Sequence, residues 1–365
     1  MGYPTFEAGT GWFKSSRKRN YFTKITIKDS YAAPDGVTLW NAATADSDPI
    51  YCYEVGTELV IAGNGSGRIY TNANAAKMFG RIKESDDYFE NVEVLEGLEI
   101  LDTSNTAYMD TMFQALHKVK EFDLRNFNTS KVETMQGMFS AKNGSAMQVE
   151  KIHGLEDLDV SNVWNLYYVF AGCANLKSLN LRKWVVTDKC TTIRQICYLC
   201  ESLEHIYGTE NWNVSNVETM YGAFFNCKKM KELNLTGWTT SGGVNKEGML
   251  SGTDCLEKIT VSKGFDFNTT GISNPAIDGS DGEWHTMHGG SFAANAMPSG
   301  VNLTYYATKA AAKADLAKLK NTFILLDGNT AVDIADAIRG ITGKYGDLKP
   351  AEWAKAISGQ EKAVT

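Results

Sequence analysis

No apolar run in this sequence comes near the ~20 residues that a bilayer-spanning helix needs, which excludes a helical membrane protein. The chain also lacks a basic excess: its 36 Lys and Arg against 43 Asp and Glu leave a net charge of −7. Such a chain gains no long-range attraction to a phosphate backbone, so nucleic acid is not expected as a partner. The first residues, MGYPTFEAGTGWFKSSRKRNYF, are broken by charges and glycines and hold no apolar core of a secretory signal. With no C-terminal anchor pattern either, export is disfavoured as an expectation. No G-x-x-x-x-G-K-[ST], G-x-S-x-G or H-E-x-x-H motif occurs, so the common phosphate-loop, esterase and zinc-protease chemistries have no carrier.

Proline is scarce, at 6, while glycine reaches 33, and 12 Met accompany 8 Trp, 16 Tyr and 16 Phe. That bias has an internal source. TSNTAYMDTMF (103–113), TSKVETMQGMF (129–139), VSNVWNLYYVF (160–170) and VSNVETMYGAF (214–224) are copies of one segment, phased by Ser104, Ser130, Ser161 and Ser215. A degenerate copy fits between the last two, with Asp188 in the serine slot and Ile193, Ile196 and Cys197 in the Met and Phe slots. A further copy spans 241–256, and Met78-Phe79 is a partial one. The connecting halves repeat as well, as in LKSLNLRKW (176–184) and MKELNLTGW (230–238). About six units of 26 to 31 residues specify a solenoid, in which each unit is too small to bury its own apolar face.

Within a unit, Leu176, Leu179 and Leu181 are spaced as L-x-x-L-x-L, and the last two alternate as in a short inward-facing strand. The Thr/Val-Ser-Asn-Val stretch predicts a capped helical entry, with Met135, Met138 and Phe139 turning one helical face inward. Cys173, Cys200 and Cys227 are 27 residues apart and are expected to stack along the axis. The pattern L-x-x-L-D-L-x-x-F-x-T-S-x-V-x-x-M-x-x-M-F-x-x-C resembles the BspA-type leucine-rich repeats of bacterial surface proteins. The resemblance covers about 165 residues and implies an α/β solenoid that presents an extended surface. YCYEVGTELVIAGNGSGRIYTNANAAKMF (51–79) resembles the β-rich cap that opens such arrays. The portion IADAIRGITGKYGDLKPAEWAKAI (334–357) resembles a two-helix module of phage tail and prophage structural proteins.

Five segments follow. Residues 1–24 are read as a docking arm that orders on a partner, through Tyr3, Phe6, Trp12, Phe13, Tyr21 and Phe22, against the plainer reading of a solvated tail. Residues 25–91 form a β-rich cap, 92–265 the leucine-rich repeat array, 266–302 a loop-rich connector, and 303–365 a small helical module. That module is expected to hold a helix over 307–320, a strand and turn at TFILLDG, and a terminal helical hairpin.

Seven cysteines raise the question of metal or redox chemistry, but the repeat phase already explains C-x-x-C at Cys197 and Cys200, and no second ligand pair follows. His285 and His288, with Asp281 and Glu283, lie in a glycine-rich stretch with no scaffold for a metal ion. No cofactor, metal or catalytic residue is expected. Trp184, Trp212 and Trp238 fall in core slots. Tyr167, Tyr168, Tyr198 and Tyr221 occupy variable positions beside the Met/Phe slots and are the candidates for a binding face. The expected protein is a non-enzymatic phage virion component (tail, fibre or head decoration) that displays the array to a bacterial host surface. It would dock on other virion proteins through its termini, bind a host glycan or protein, and assemble as a homo-oligomer. The alternative is a BspA-like adhesin on a bacterial cell surface.

Overall fold

A computed structural model describes residues 4–81, 87–141, 145–240, 243–298 and 302–324. It is a β-solenoid of about 8 turns, followed by one α-helix. The strands, in chain order, are β1 (Lys24–Lys28), β2 (Leu39–Asn41), β3 (Tyr51–Val55), β4 (Glu58–Ala62), β5 (Ile69–Tyr70), β6 (Val94–Glu96), β7 (Leu101–Asp102) and β8 (Glu121–Asp123). They continue as β9 (Lys151–His153), β10 (Ser178–Asn180), β11 (His205–Tyr207), β12 (Glu232–Leu235), β13 (Lys258–Val261), β14 (Trp284–His285), β15 (Ser291–Phe292) and β16 (Leu303–Tyr306), and α1 spans Lys309–Ile324.

The L-x-x-L-x-L spacing does what its period implies. Leu179 of β10 is buried between exposed Ser178 and Asn180, and β10 through β13 pair in parallel, one strand per turn. At the N-terminal end, β1 pairs in parallel with β4 and β6, in a five-stranded sheet of order β2-β3-β4-β1-β6. At the other end β16 runs antiparallel to β13 and covers its edge, where an open row of N–H and C=O groups would otherwise face solvent.

The expected helical turn in each unit does not form, and the reason lies in where the N–H groups go. Met138 and Ser140 donate to Met135 O and Gly137 O in their own turn, while Phe139 and Ala141 donate to Val169 O and Ala171 O in the next. An α-helix needs every such donor for the carbonyl four residues back. Seven residues after each phase residue the backbone is left-handed, at Thr111, Gly137, Tyr168, Gln195 and Gly222, with φ between 53° and 61°. This costs about 1–2 kcal/mol at each non-glycine position and is offset by the bonds between turns. The result is a bridge ladder of seven members, Asn74, Tyr108, Thr134, Asn165, Thr192, Thr219 and Asn245. Met78 and Phe79 belong to its first turn.

The cap also differs in detail from its expected form. The phase serine is not the acceptor. Its N–H donates to the side chain two residues earlier, from Ser104 to Asp102, Ser130 to Asn128, Ser161 to Asp159 and Ser215 to Asn213, at 2.9–3.1 Å. These Asx turns bend the chain without starting a helix.

Inside, identical slots stack. Phe79, Phe113, Phe139 and Phe170 form a near-parallel column with centroids 5.5–6.0 Å apart, and Trp184, Trp212 and Trp238 form a second at 5.9–6.3 Å. The three tryptophans are buried, as their slots implied. Cys173, Cys200 and Cys227 donate their thiols to Phe139 O, Phe170 O and Cys197 O one turn back, at 3.1–3.3 Å. Burial pushes the Cys190 thiol up to about 12 and raises those of Cys52, Cys173, Cys197 and Cys227 as well. A raised thiol pKa means less thiolate, the reactive form, at any working pH. In native protein at pH 8, a disulfide reagent such as Ellman's is therefore expected to consume one thiol quickly, at exposed Cys255, and the other six only on unfolding. Rapid reaction of several thiols in the folded protein would contradict this core.

Two of the expected segments need correction. Residues 4–24 are not a free docking arm: Phe6, Trp12 and Phe22 are at most 1 % exposed, and Phe13 and Tyr21 pack against the same core. Trp12 donates its indole N–H to Met78 O at 2.9 Å and stacks on Phe89, so this aromatic segment serves the chain's own interior. Arg19 is buried with it, its guanidinium over Phe13 and Phe89 and bonded to Gly80 O, and desolvation lowers its pKa to about 10. Tyr3 lies outside the described residues. The 266–302 connector is likewise not simply loop. It contains β14 and β15, and buries Phe267, Trp284, His285 and Met297. The helix expected over 307–320 is present as α1, which takes in Thr322, Phe323 and Ile324 of TFILLDG, and the rest of that segment lies outside the described residues. The phage-like segment 334–357 lies outside the described residues.

A tyrosine-lined groove across successive turns

The ladder decides which side chains meet. In three successive turns the ladder residue accepts, through its side-chain oxygen, the N–H two positions on: Asn165 from Tyr167, Thr192 from Arg194 and Thr219 from Tyr221, at 3.0–3.3 Å. This places Gln136, Tyr167, Arg194 and Tyr221 in one column, a turn apart, on the half-exposed side of the turns.

The structure brings the four sequence-selected tyrosines together. Tyr167 and Tyr168 lie 4.1 Å apart between ring centroids, Tyr168 meets Tyr198 edge-on at 6.2 Å, and Tyr198 stacks on Phe225 at 5.1 Å. Tyr221 joins through Arg194, whose guanidinium lies 4.7 Å from the Tyr221 centroid and 5.7 Å from that of Tyr167. Burial, and then the hydrogen bond with Tyr167, raises the Tyr168 hydroxyl above its usual range. Phe225 and Arg194 had not been singled out. Arg194 sits in the column position of Tyr167 and Tyr221, so register with them was its available signal.

Beside the rings opens a groove of about 620 Å³ that crosses five turns, from Thr111 and Gln114 past Gln136 and Ser140 to Tyr168, Tyr198 and Glu201, with Arg81 at one end. Its floor is low because Gly137, Ser140, Ala141, Ala171 and Gly172 are small where later turns carry Tyr198, Leu199 and Phe225. A Cβ on Gly172 would collide with that of Ala141, so the floor is as close-packed as the backbone permits. At five turns of ~4.8 Å the groove is roughly 20–25 Å long, a length suited to a chain-like ligand. Amides, hydroxyls and ring faces line it. Glu201 is neutralised by Lys228 at 2.9 Å. Asp110, farther along the column, accepts from Thr134 Oγ1 and Gln136 N, and burial raises its pKa.

The histidines behave differently from a metal site. His285 bonds to Ser291 Oγ through Nδ1 and to Asp281 Oδ1 through Nε2, both at 2.8 Å, and Asp281 is paired with Lys309 at 2.9 Å. His285 and Ser291 are cross-strand partners, so this chain of contacts pins the β14–β15 hairpin to the start of α1. Lys309 and then His285 hold the Asp281 carboxyl well below its usual range. His288 is not brought to this cluster by any contact, and no group of three metal-ligating side chains occurs among the described residues.

Repeated turns, stacked identical slots and a surface groove define a β-solenoid repeat protein. The chain belongs to the family described as "Mycoplasma protein of unknown function, DUF285", which matches residues 79–152 and 143–263. That match coincides with the repeat region and is compatible with the resemblance to BspA-type repeat surface proteins. No curated protein and no solved structure matches the chain.

Proposed function

We propose that this chain is a non-enzymatic binding protein whose tyrosine-lined groove takes an extended glycan, as part of a surface-displayed array of the BspA-type leucine-rich repeat kind. One observation carries the reading: Tyr167, Tyr168, Tyr198 and Tyr221, from three successive turns, converge beside a groove long enough for several sugar units. Half-exposed rings flanked by amides and hydroxyls suit the apolar faces and polar edges of sugars. Tyr168→Ala and Tyr198→Ala are expected to weaken glycan-array binding by roughly five- to tenfold per ring, with the melting curve unchanged. Binding at wild-type strength in both variants would move the site elsewhere.

Two placements of that display differ in their support. The phage-like segment 334–357 favours a virion component that adheres to a bacterial host, while the match to a bacterial family favours a cell-surface adhesin. Since the aromatic residues of segment 4–24 are taken up by the chain's own core, docking to a larger assembly would fall to the C-terminal segment. Flanking capsid and tail genes would support the first placement, and a sortase or secretion cluster the second.

A further inference from the structure

We propose that the tyrosine face beside the groove selects an acidic glycan, and that Arg194, which lies by Tyr167 and Tyr221 next to the groove's lining, reads its carboxylates. This rests on the glycan reading above and goes beyond it in naming the chemical class. The Arg194 guanidinium lies 5.7 Å from the Tyr167 ring centroid and 4.7 Å from that of Tyr221, the equivalent residues of the turns before and after it. Its Nε donates to Gln195 Oε1 at 3.2 Å, and that bond sets the rotation of the guanidinium. Neither terminal amino group has an acceptor among the described residues, and no carboxylate lies within ion-pair distance of it. Other cations of the array differ: Lys183, Lys228 and Lys231 each pair with an acidic residue 26 or 27 positions earlier.

The nearby acids do not cancel that charge. Glu201 is already paired with Lys228, and Asp110 is half-buried and hydrogen-bonded to Thr134 and Gln136. Glu247, two turns along the same column, is about 10 Å away, near the Debye length at physiological salt. A guanidinium placed between two rings, with its terminal N–H fork uncommitted, can take a carboxylate through two parallel hydrogen bonds in a way that a lysine cannot. The net charge of −7 gives an acidic polymer no long-range attraction, so recognition must be local to this fork.

The test uses the full chain and one polymer in two charge states: polygalacturonate and its fully methyl-esterified form, with poly(glycerol phosphate) as a second anion. The wild type is expected to bind the acid at least about tenfold tighter than the ester, with the preference shrinking as salt is raised. Arg194→Gln should abolish the preference while retaining the weaker binding to the ester. Arg194→Lys should restore it only in part, and Arg182→Gln, which removes a guanidinium stacked on Tyr207 on the strand face, should change nothing. Equal binding of acid and ester overturns the carboxylate inference and leaves the glycan reading standing. Tighter binding of the phosphate polymer, an unchanged Arg194→Gln, or no binding of either galacturonan overturns it too. Glycan binding at wild-type strength in both Tyr168→Ala and Tyr198→Ala is what would remove the wider reading.

Discussion

Phe139→Ala is expected to destabilise the protein by about 3–5 kcal/mol. The ring is fully buried, near-parallel to Phe113 at 5.5 Å and to Phe170 at 6.0 Å, and edge-on to Phe122 at 5.2 Å. Truncation removes contacts from three turns at once, and the cavity cannot close because the ladder fixes the spacing between turns. In a solenoid each turn is stabilised only by its neighbours. The substitution should therefore also uncouple the turns before it from those after it, and denaturant unfolding should broaden into two steps. A single sharp transition shifted by less than about 1 kcal/mol would show that the slot is not a core column.

Gly154→Ala tests the backbone in place of the core. Gly154 has φ +74°, and a Cβ there would lie 2.7 Å from both Cα and N of Arg125 in the preceding turn. Those atoms are backbone and have nowhere to move. Left-handed strain of about 1–2 kcal/mol and overpacking of about 1–3 kcal/mol together predict a loss of roughly 2–5 kcal/mol. Gly56→Ala is the control. Its φ is +59° but nothing lies within 4 Å of the added methyl, so only the strain should be measured. Equal losses at the two positions in urea melts would mean that the close approach between turns contributes nothing.

The repeat was legible because it is written in spacing. Phe113, Phe139 and Phe170 occupy one phase of the sequence and one column of the core, and Cys173, Cys200 and Cys227 likewise. The error over the helix came from the same spacing. Met135, Met138 and Phe139 fit a helical face, but the left-handed φ at Gly137 and the donation of alternate N–H groups to the next turn are properties of the stack. Trp12 and Phe22 were misassigned because aromatic content cannot distinguish a segment that binds a partner from one that fills its own chain's core. The tyrosine cluster was selected from positions beside core slots, and register alone brought it together. Arg194 was passed over because a lone arginine in a variable position carries no signal until its neighbours in the adjacent turns are known.

The sequence by itself determined the period, the occupants of the Phe, Trp and Cys columns and the short inward-facing strands, since burial follows from apolar residues recurring at a fixed interval. Only the tertiary structure decided that the turns interlock as a β-ladder, that the aromatic residues of segment 4–24 pack inside, and that four tyrosines and an arginine cluster beside one groove. Those outcomes depend on hydrogen bonds and contacts between residues 26 to 34 positions apart or more, and no local pattern along the chain encodes such a pairing until the turns are stacked.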